Sequence, residues 1–368
     1  MYVRIAGLGE CLPGIDVPGR IVTNADMVEM LLAAGAIKPG TDHPWTREEF
    51  TPKLIENLVG IKQRHWVSKE INTSDLALYA AEKAMEKAGI GWEDVGMLVV
   101  GSSTPESYYP STACWVLNKI HKKRIAEGVW TENESKTKLR IPAFDVLAAC
   151  ASSLYAVDII RKTLLFPETD YRYGIAIGAE VMSRTMSYKE TNSDIFGDGG
   201  GAAVLERTDS PDAPGRILWT ETGNDSWGAE TTYSQGLDTR YHETPEAMNI
   251  FMAGHEIQKY VLKLIPEIIQ MMVKKTNHGL GLHLKIEDIA LFVCHQANAR
   301  IFDFPAKKLG IPIEKFYVNC DRRANASSAS IMMALTEADQ EGRIKRGDLV
   351  FLLSFGGGLT WASALVKW

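Results

Sequence analysis

The sequence predicts an α/β fold of two duplicated αβαβ halves, with mostly parallel sheets and helices in layers. Three observations predict it. Segments recur in one order: Glu93-Asp94-Val95-Gly96-Met97-Leu98-Val99-Val100 returns as Glu287-Asp288-Ile289-Ala290-Leu291-Phe292-Val293-Cys294, and Cys150-Ala151-Ser152-Ser153 as Asn325-Ala326-Ser327-Ser328. Phe196-Gly197-Asp198-Gly199-Gly200-Gly201 likewise returns as Phe355-Gly356-Gly357-Gly358, each running into a short Ala-rich apolar segment. Apolar runs of strand length also alternate with helical stretches from end to end, the pattern of strands buried beneath helices on both faces. The halves are expected at 1–210 and 211–368. No Pro- or Ser-rich linker separates them, so they are expected to share an interface.

In the first half, a strand is expected at Val3–Leu8. A helix follows from Thr73 as N-cap, with Leu76, Tyr79, Ala80 and Met85 at helical spacing and Gly89 as its stop. Next come a strand over Met97–Ser102, a helix over 111–122, a strand over Ala143–Ala149, a helix over 151–165, a strand over Tyr173–Gly178 and a Gly-rich turn at Gly197–Gly201. Residues 121–140 are charged, have no counterpart in the second half and read as an exposed insertion. The second half repeats the order with a helix over 246–275, a strand over Ile289–Cys294 and a helix over 298–309. Phe316–Asn319 reads as a strand, 326–340 as a helix, and Leu349–Leu353 and Trp361–Val366 as closing strands.

Composition narrows the function. The 368 residues suffice for one large or two medium domains, and 45% hydrophobic with 23% charged content is ordinary for a globular chain. A net charge of −6 provides no global basic field for nucleic acid. The N-terminus lacks the pattern of a signal peptide, and no apolar run reaches membrane-span length. Five scattered cysteines (Cys11, Cys114, Cys150, Cys294, Cys320) form neither a disulfide framework nor a metal-binding C-x-x-C pair. A soluble protein of a reducing cytoplasm, without metal, is the expectation.

Cys150 stands where an apolar strand meets a helix. The helix dipole and unpaired N–H groups at that point are expected to lower its pKa and favour thiolate. His295 ends the strand Ala290–Cys294, at the strand end where α/β sheets place their sites. Asn325 occupies in the second half the position of Cys150 in the first, so a pseudo-twofold axis would bring the two together. A backbone N–H in Gly356-Gly357-Gly358 is suited to bind an oxyanion. Each residue also has a structural reading: a small buried hydrophobe, a strand-end hydrogen bond, a helix cap and a tight hairpin, respectively. Glu180 and Asp198 read as structural.

These motifs together, Phe144–Ala151, His295-Gln296-Ala297-Asn298-Ala299-Arg300, Asn325–Ser330 and Phe355–Trp361, resemble the β-ketoacyl-acyl-carrier-protein synthase III family of the thiolase-like superfamily over nearly the whole chain. The resemblance implies that Cys150 is acylated and that His295 and Asn325 bind the acceptor thioester carbonyl. It further implies an oxyanion hole from the N–H groups of Cys150 and Gly357, a place for Phe355 beside the reactive groups, and Tyr109 lent to a pocket across a homodimer. Arg300 matches a basic residue that receives the acyl carrier protein. Lys307 and Lys308 lie on the same expected helix, with Arg300 and Lys307 seven residues apart on one face. The reaction implied is a Claisen condensation in fatty-acid or polyketide biosynthesis. Its substrates are phosphopantetheine or CoA thioesters, and it needs no cofactor.

The chain departs from that pattern before Gly60-Ile61-Lys62. Leu54 and Leu58 stand where members that start from acyl-CoA have tryptophan and arginine, and after Cys150 the chain reads Ala-Ser-Ser-Leu-Tyr. This points to a specialised member that takes both substrates from carrier proteins, such as those that join two acyl chains. Competing readings are an acyltransferase that forms esters or amides without a carbon–carbon bond, a papain-like cysteine protease and a non-catalytic partner subunit.

Overall fold

The structure, a computed structural model, describes residues 1–234 and 249–368. Nine strands form its main sheet: β1 (Tyr2–Cys11), β2 (Val95–Gly101), β3 (Ala143–Val146), β4 (Tyr173–Val181), β5 (Asp198–Thr208), β6 (Arg216–Asn224), β7 (Ile289–Cys294), β8 (Leu349–Gly356) and β9 (Thr360–Lys367). They lie in the order β7-β8-β9-β6-β1-β5-β4-β2-β3. From the centre outward, one arm runs β1-β5-β4-β2-β3 and the other β6-β9-β8-β7, each with two antiparallel pairings followed by parallel ones. The arms join at a single antiparallel pair, Arg4 with Arg216.

The expected mostly parallel sheets are therefore one mixed sheet, in which three of the eight neighbouring pairs are parallel (β2–β3, β2–β4, β7–β8). The antiparallel pairs come from β1, β5, β6 and β9, whose partners lie at the centre, and the period of an apolar run does not encode strand direction.

Helices complete the layers. α1 (Thr73–Ala88) and α2 (Thr112–Ala126) cover the outer face of the first arm, whereas α4 (Gly254–Leu280) and α5 (Asp303–Leu309) cover that of the second. Between the arms lie α3 (Ser152–Leu165) and α6 (Ser330–Gln340), sharing one core with both: Val157 and Ile160 of α3 and Met332 and Leu335 of α6 pack with Val99, Leu205, Val293 and Leu352. Each central helix is thus buried by both arms.

Several expected elements are placed differently. Gly199–Gly201 lie inside β5 rather than in a turn. A β-carbon on Gly200 would sit 2.7 Å from the Leu76 carbonyl oxygen of α1, and one on Gly201 2.6 Å from Met332 Cβ of α6, so glycine admits a helix on each face. Asn72, not Thr73, caps α1 with Asp75, and Gly89 ends the helix at φ 69°. Of the helix expected over 246–275, the first residues lie outside the described residues, and α4 begins at Gly254. Phe316–Asn319 makes only an isolated bridge from Phe316 to Phe292, in the place β3 holds in the first arm. Residues 121–140 do not simply protrude. α2 continues to Ala126, and the chain folds back to bury Trp130 beside His121, with ring centroids 5.6 Å apart.

Replacing Gly200 with alanine is expected to destabilise the protein by about 1–3 kcal/mol through overpacking against α1. Urea unfolding would register this as a lower midpoint at unchanged slope; an unchanged midpoint would contradict the close-approach argument.

Candidate active site

β3 ends at Val146, and the chain makes a tight turn, with Ala149 at φ 47°, before α3 begins at Ser152. Cys150 sits in this turn. The Ala148 carbonyl accepts Ala151 N at 3.1 Å and Thr360 Oγ1 at 2.7 Å, while Ser354 Oγ donates to the Cys150 carbonyl at 2.6 Å. A β-carbon on Gly356 would lie 2.5 Å from Cys150 N, so only glycine lets the β8–β9 hairpin come this close. The expected hairpin is present, and within Gly356-Gly357-Gly358 it is Gly356 that approaches Cys150 N.

The Ser327 hydroxyl donates to Cys150 Sγ at 3.4 Å. Burial nevertheless pushes the thiol up to about 12, and the negative Glu180 adds to the rise. The expected lowering is therefore wrong for the resting protein. The first helical residue comes two positions after Cys150, so the sulfur stands short of the helix end, and desolvation is the largest influence on it. Cys150 rests as a thiol.

His295 follows β7 directly, its N–H donating to the Leu353 carbonyl at 2.7 Å. The ring is 2% exposed, and its Nδ1 has no hydrogen-bond partner. Burial lowers its pKa to about 3, so the imidazole is neutral. It meets the Phe355 ring edge-on, centroids 5.3 Å apart. Phe355 immediately precedes Gly356, which links His295 to the Cys150 turn.

Asn325 is 4% exposed, its backbone fixed by Asn325 N to the Ile195 carbonyl at 2.8 Å and Gly197 N to the Asn325 carbonyl at 3.0 Å. Its Oδ1 accepts Ser327 N at 2.8 Å, which assigns the amide orientation and leaves Nδ2 as the outward donor. The preceding Ala324 has φ 58° and ψ −163°, a region otherwise reserved for glycine that costs on the order of 1–3 kcal/mol. Ser327 bonds Asn325 through its backbone N–H and Cys150 through its hydroxyl, so one residue separates the two. The fold therefore ties the thiol to the carboxamide through Ser327, while the imidazole is linked to the Cys150 turn through Phe355 and Gly356.

Other expected residues lie elsewhere. Tyr109 is 88% exposed, in the loop ahead of α2 and beside the edge strand β3. Arg300, Lys307 and Lys308 are exposed, but α5 begins only at Asp303, so Arg300 does not share a helix with the lysines. Asn298 Oδ1 accepts Arg300 N at 2.9 Å, and Ala299 N donates to the Val59 carbonyl at 3.0 Å, which draws this stretch out of the helix.

Sequence reasoning gave Ser327 and Gln296 no role. Their one signal was position, two residues after Asn325 and one after His295. Asp198 accepts Ser183 and Val67 N–H groups, as a structural residue does. Glu180 is fully buried and accepts Thr104 Oγ1 at 2.6 Å and Ser328 Oγ at 2.7 Å, and burial raises its pKa. Among the described residues, no group of three or more His, Cys, Asp or Glu side chains is arranged to hold a metal ion.

The depressed His295 pKa sets a sign. Its folded value lies below the unfolded value near 6.5, so stability is full above about pH 6.5 and is lost as pH falls towards 3. In histidine-detected NMR, the resonance missing from a His295→Asn variant is expected to show no inflection between pH 5 and 8; a midpoint near 6.5 would sink the assignment.

Two family models match the chain. "3-Oxoacyl-[acyl-carrier-protein (ACP)] synthase III" covers residues 144–226, and the corresponding C-terminal model covers residues 282–368. A β-ketoacyl-[acyl-carrier-protein] synthase III of Clostridium perfringens (strain SM101 / Type A) is 36% identical over 87% of this chain and 91% of its own. One of Xanthomonas campestris pv. campestris (strain 8004) is 33% identical over 100% and 99%. The crystal structure of the Thermus thermophilus synthase III superimposes with a TM-score of 0.79 at 31% identity, covering 99% of both chains. With a curated relative 36% identical over 87% of its length, the chain belongs to the β-ketoacyl-[acyl-carrier-protein] synthase III family and is an acyltransferase of the condensing-enzyme class.

Proposed function

We propose that the two halves, 1–210 and 211–368, form a single site in which Cys150 carries the acyl group and His295 and Asn325 hold the acceptor. The Cys150 sulfur attacks the donor thioester carbonyl, and its proton leaves on the departing thiol, giving a covalent acyl-enzyme. An acceptor thioester, malonyl or β-ketoacyl on a carrier protein, then places its carbonyl oxygen against the imidazole of His295 and Nδ2 of Asn325. Both groups are neutral donors, suited to an enolate formed by decarboxylation or deprotonation. The enolate carbon attacks the acyl-Cys150 carbonyl, whose developing charge faces the N–H groups of Cys150 and Gly357. That attack forms the carbon–carbon bond; the tetrahedral adduct then collapses, breaking the C–S bond and releasing the sulfur, which takes a proton from solvent to return to the thiol. Thioesters are the substrates, and the steps conserve electrons, so no resident cofactor is called for.

The observation that supports this reading most is the pair of neutral donors it needs: a buried, uncharged His295 and an Asn325 whose Oδ1 is already engaged. Phe355 shields the imidazole on one side. Leu58 is 62% exposed and Leu54 half-buried on the helix Pro52–Val59, so neither offers ring stacking or a cation to a nucleotide. This favours donors delivered by an acyl carrier protein over acyl-CoA, with Arg300, Lys307 and Lys308 as the cations that meet an acidic carrier. A homodimer would cover the exposed Tyr108, Tyr109, Phe144 and Leu147 beside the edge strand β3 and bring Tyr109 to the neighbouring pocket. Among the described residues no helix is long and apolar enough to cross a membrane; we place the enzyme in the cytoplasm, without nucleic-acid partners.

Intact-protein mass spectrometry with a panel of acyl-CoAs and acyl carrier proteins tests the proposal. The native protein is expected to gain one acyl mass from carrier-protein donors, and Cys150→Ala none. His295→Ala and Asn325→Ala should still acylate yet lose condensation by about 100- to 1000-fold. Undiminished acylation of Cys150→Ala would remove the nucleophile from the scheme.

A further inference from the structure

We infer that a buried polar truss, Gln296–Asn319–Glu337–Arg323 with Arg322, fixes the Asn325 carboxamide relative to the His295 imidazole, and that Gln296 and Glu337 are positioning residues for the acceptor step. The inference rests on the proposed acceptor role of His295 and Asn325.

These two side chains come from separate loops and are loosely held by their own contacts. Among the described residues, His295 Nδ1 has no hydrogen-bond partner, and the Asn325 carboxamide is held by Ser327 N at its Oδ1. Their separation must therefore be set by the backbones beneath them. Gln296, the residue after His295, is 0% exposed. Its Nε2 donates to the Cys294 carbonyl at 2.8 Å and the Tyr317 carbonyl at 3.0 Å, and its Oε1 accepts Asn319 N at 2.9 Å and Cys320 N at 3.3 Å. One amide thus staples the end of β7 to the start of the short helix Cys320–Arg323, with both donors and the acceptor oxygen engaged.

Glu337 of α6, 5% exposed, grips the other end of that helix. Its Oε2 accepts Asn319 Nδ2 at 2.6 Å and Arg322 Nη2 at 3.2 Å, and its Oε1 accepts Arg323 Nε at 2.6 Å. Arg323 Nη1 also lies 3.0 Å from His65 Nε2. A guanidinium only donates, so His65 accepts there and turns its Nδ1–H to the Pro13 carbonyl at 2.7 Å.

Two residues beyond Arg323 is Asn325, and the residue between is Ala324 in its glycine-only conformation. Such a conformation persists only where both flanks are over-determined. On one flank stands the Arg323–Glu337 pair; on the other, the bonds from Asn325 N to Ile195 and from Gly197 N to Asn325. Loosening Glu337 frees the first flank, lets Ala324 relax and turns the carboxamide away from the imidazole. The Cys150 backbone is held outside the truss, by Ser354 at its own carbonyl and Thr360 at that of Ala148, and only the Ser327 hydroxyl, 3.4 Å from the sulfur, connects it to the Asn325 side.

Single-turnover measurements with octanoyl carrier protein as donor and malonyl carrier protein as acceptor separate the two half-reactions. Glu337→Gln is expected to acylate Cys150 within about twofold of the native rate, yet to slow malonyl decarboxylation and condensation by about 10- to 100-fold, the effect of a misplacement near 1 Å. Arg323→Lys keeps a cation against Glu337 and is expected to give a smaller loss in the same step only. It also serves as the test should Glu337→Gln not fold. A merely structural role predicts equal loss in both half-reactions, in proportion to any fall in melting temperature. That result, or unchanged condensation in the folded variants, overturns the truss. If Asn325→Ala condenses at the native rate, the acceptor role itself falls, and the truss loses its object.

Discussion

The β8–β9 hairpin of the second arm rests directly on the turn that carries Cys150. Gly356 has no room for a side chain above Cys150 N, Ser354 Oγ bonds the Cys150 carbonyl and Thr360 Oγ1 the Ala148 carbonyl. This turn holds Ala149 at positive φ, a conformation that neighbours must impose. The first half supplies the thiol and the second holds it in place. Ser327 repeats the arrangement from the other direction, bonding its own neighbour Asn325 and the sulfur across the interface. The shared core around α3 and α6 makes this possible, because neither central helix is buried by one arm alone.

Burial also sets the charge of the cluster. It raises Cys150 and lowers His295, so the site rests as neutral thiol, neutral imidazole and carboxamide. A charge held there without substrate would face a large desolvation cost. The same cost acts on the fully buried Glu180, whose pKa is raised by burial even though Ser103, Thr104 and Ser328 donate to its oxygens. In the proposed reaction, negative charge appears only on an enolate or oxyanion, where neutral donors already point, which is the condition for stabilisation without reorganisation.

Polar groups beneath the surface do work that no motif advertises. Gln296 and Glu337 spend their hydrogen bonds on protein partners and tie β7, the helix Cys320–Arg323 and α6 into one body. The cations expected to share a helix do not, because Ala299 bonds Val59 and Asn298 bonds Arg300, and the helix begins only after both contacts are made. Helical spacing reports which residues share a face only where the backbone stays helical, and tertiary hydrogen bonds decide where it does.

The sequence by itself determined most of the strands and helices and singled out Cys150, His295 and Asn325 as candidates, since these signals are local: apolar runs of strand length, Gly89 as a helix stop, and like segments in like order; it offered neither β5 nor β6 as a strand. Only the tertiary structure decided the direction of each strand, the placement of Gly199–Gly201 within β5 between two helices, and the protonation of the site. Strand pairing joins residues far apart in the chain; β1 with β5 pairs Tyr2 with Thr208. Helix-dipole reasoning pointed towards a thiolate, but desolvation depends on every atom packed around the sulfur. Those atoms come from both halves, and no local pattern of residues encodes their sum.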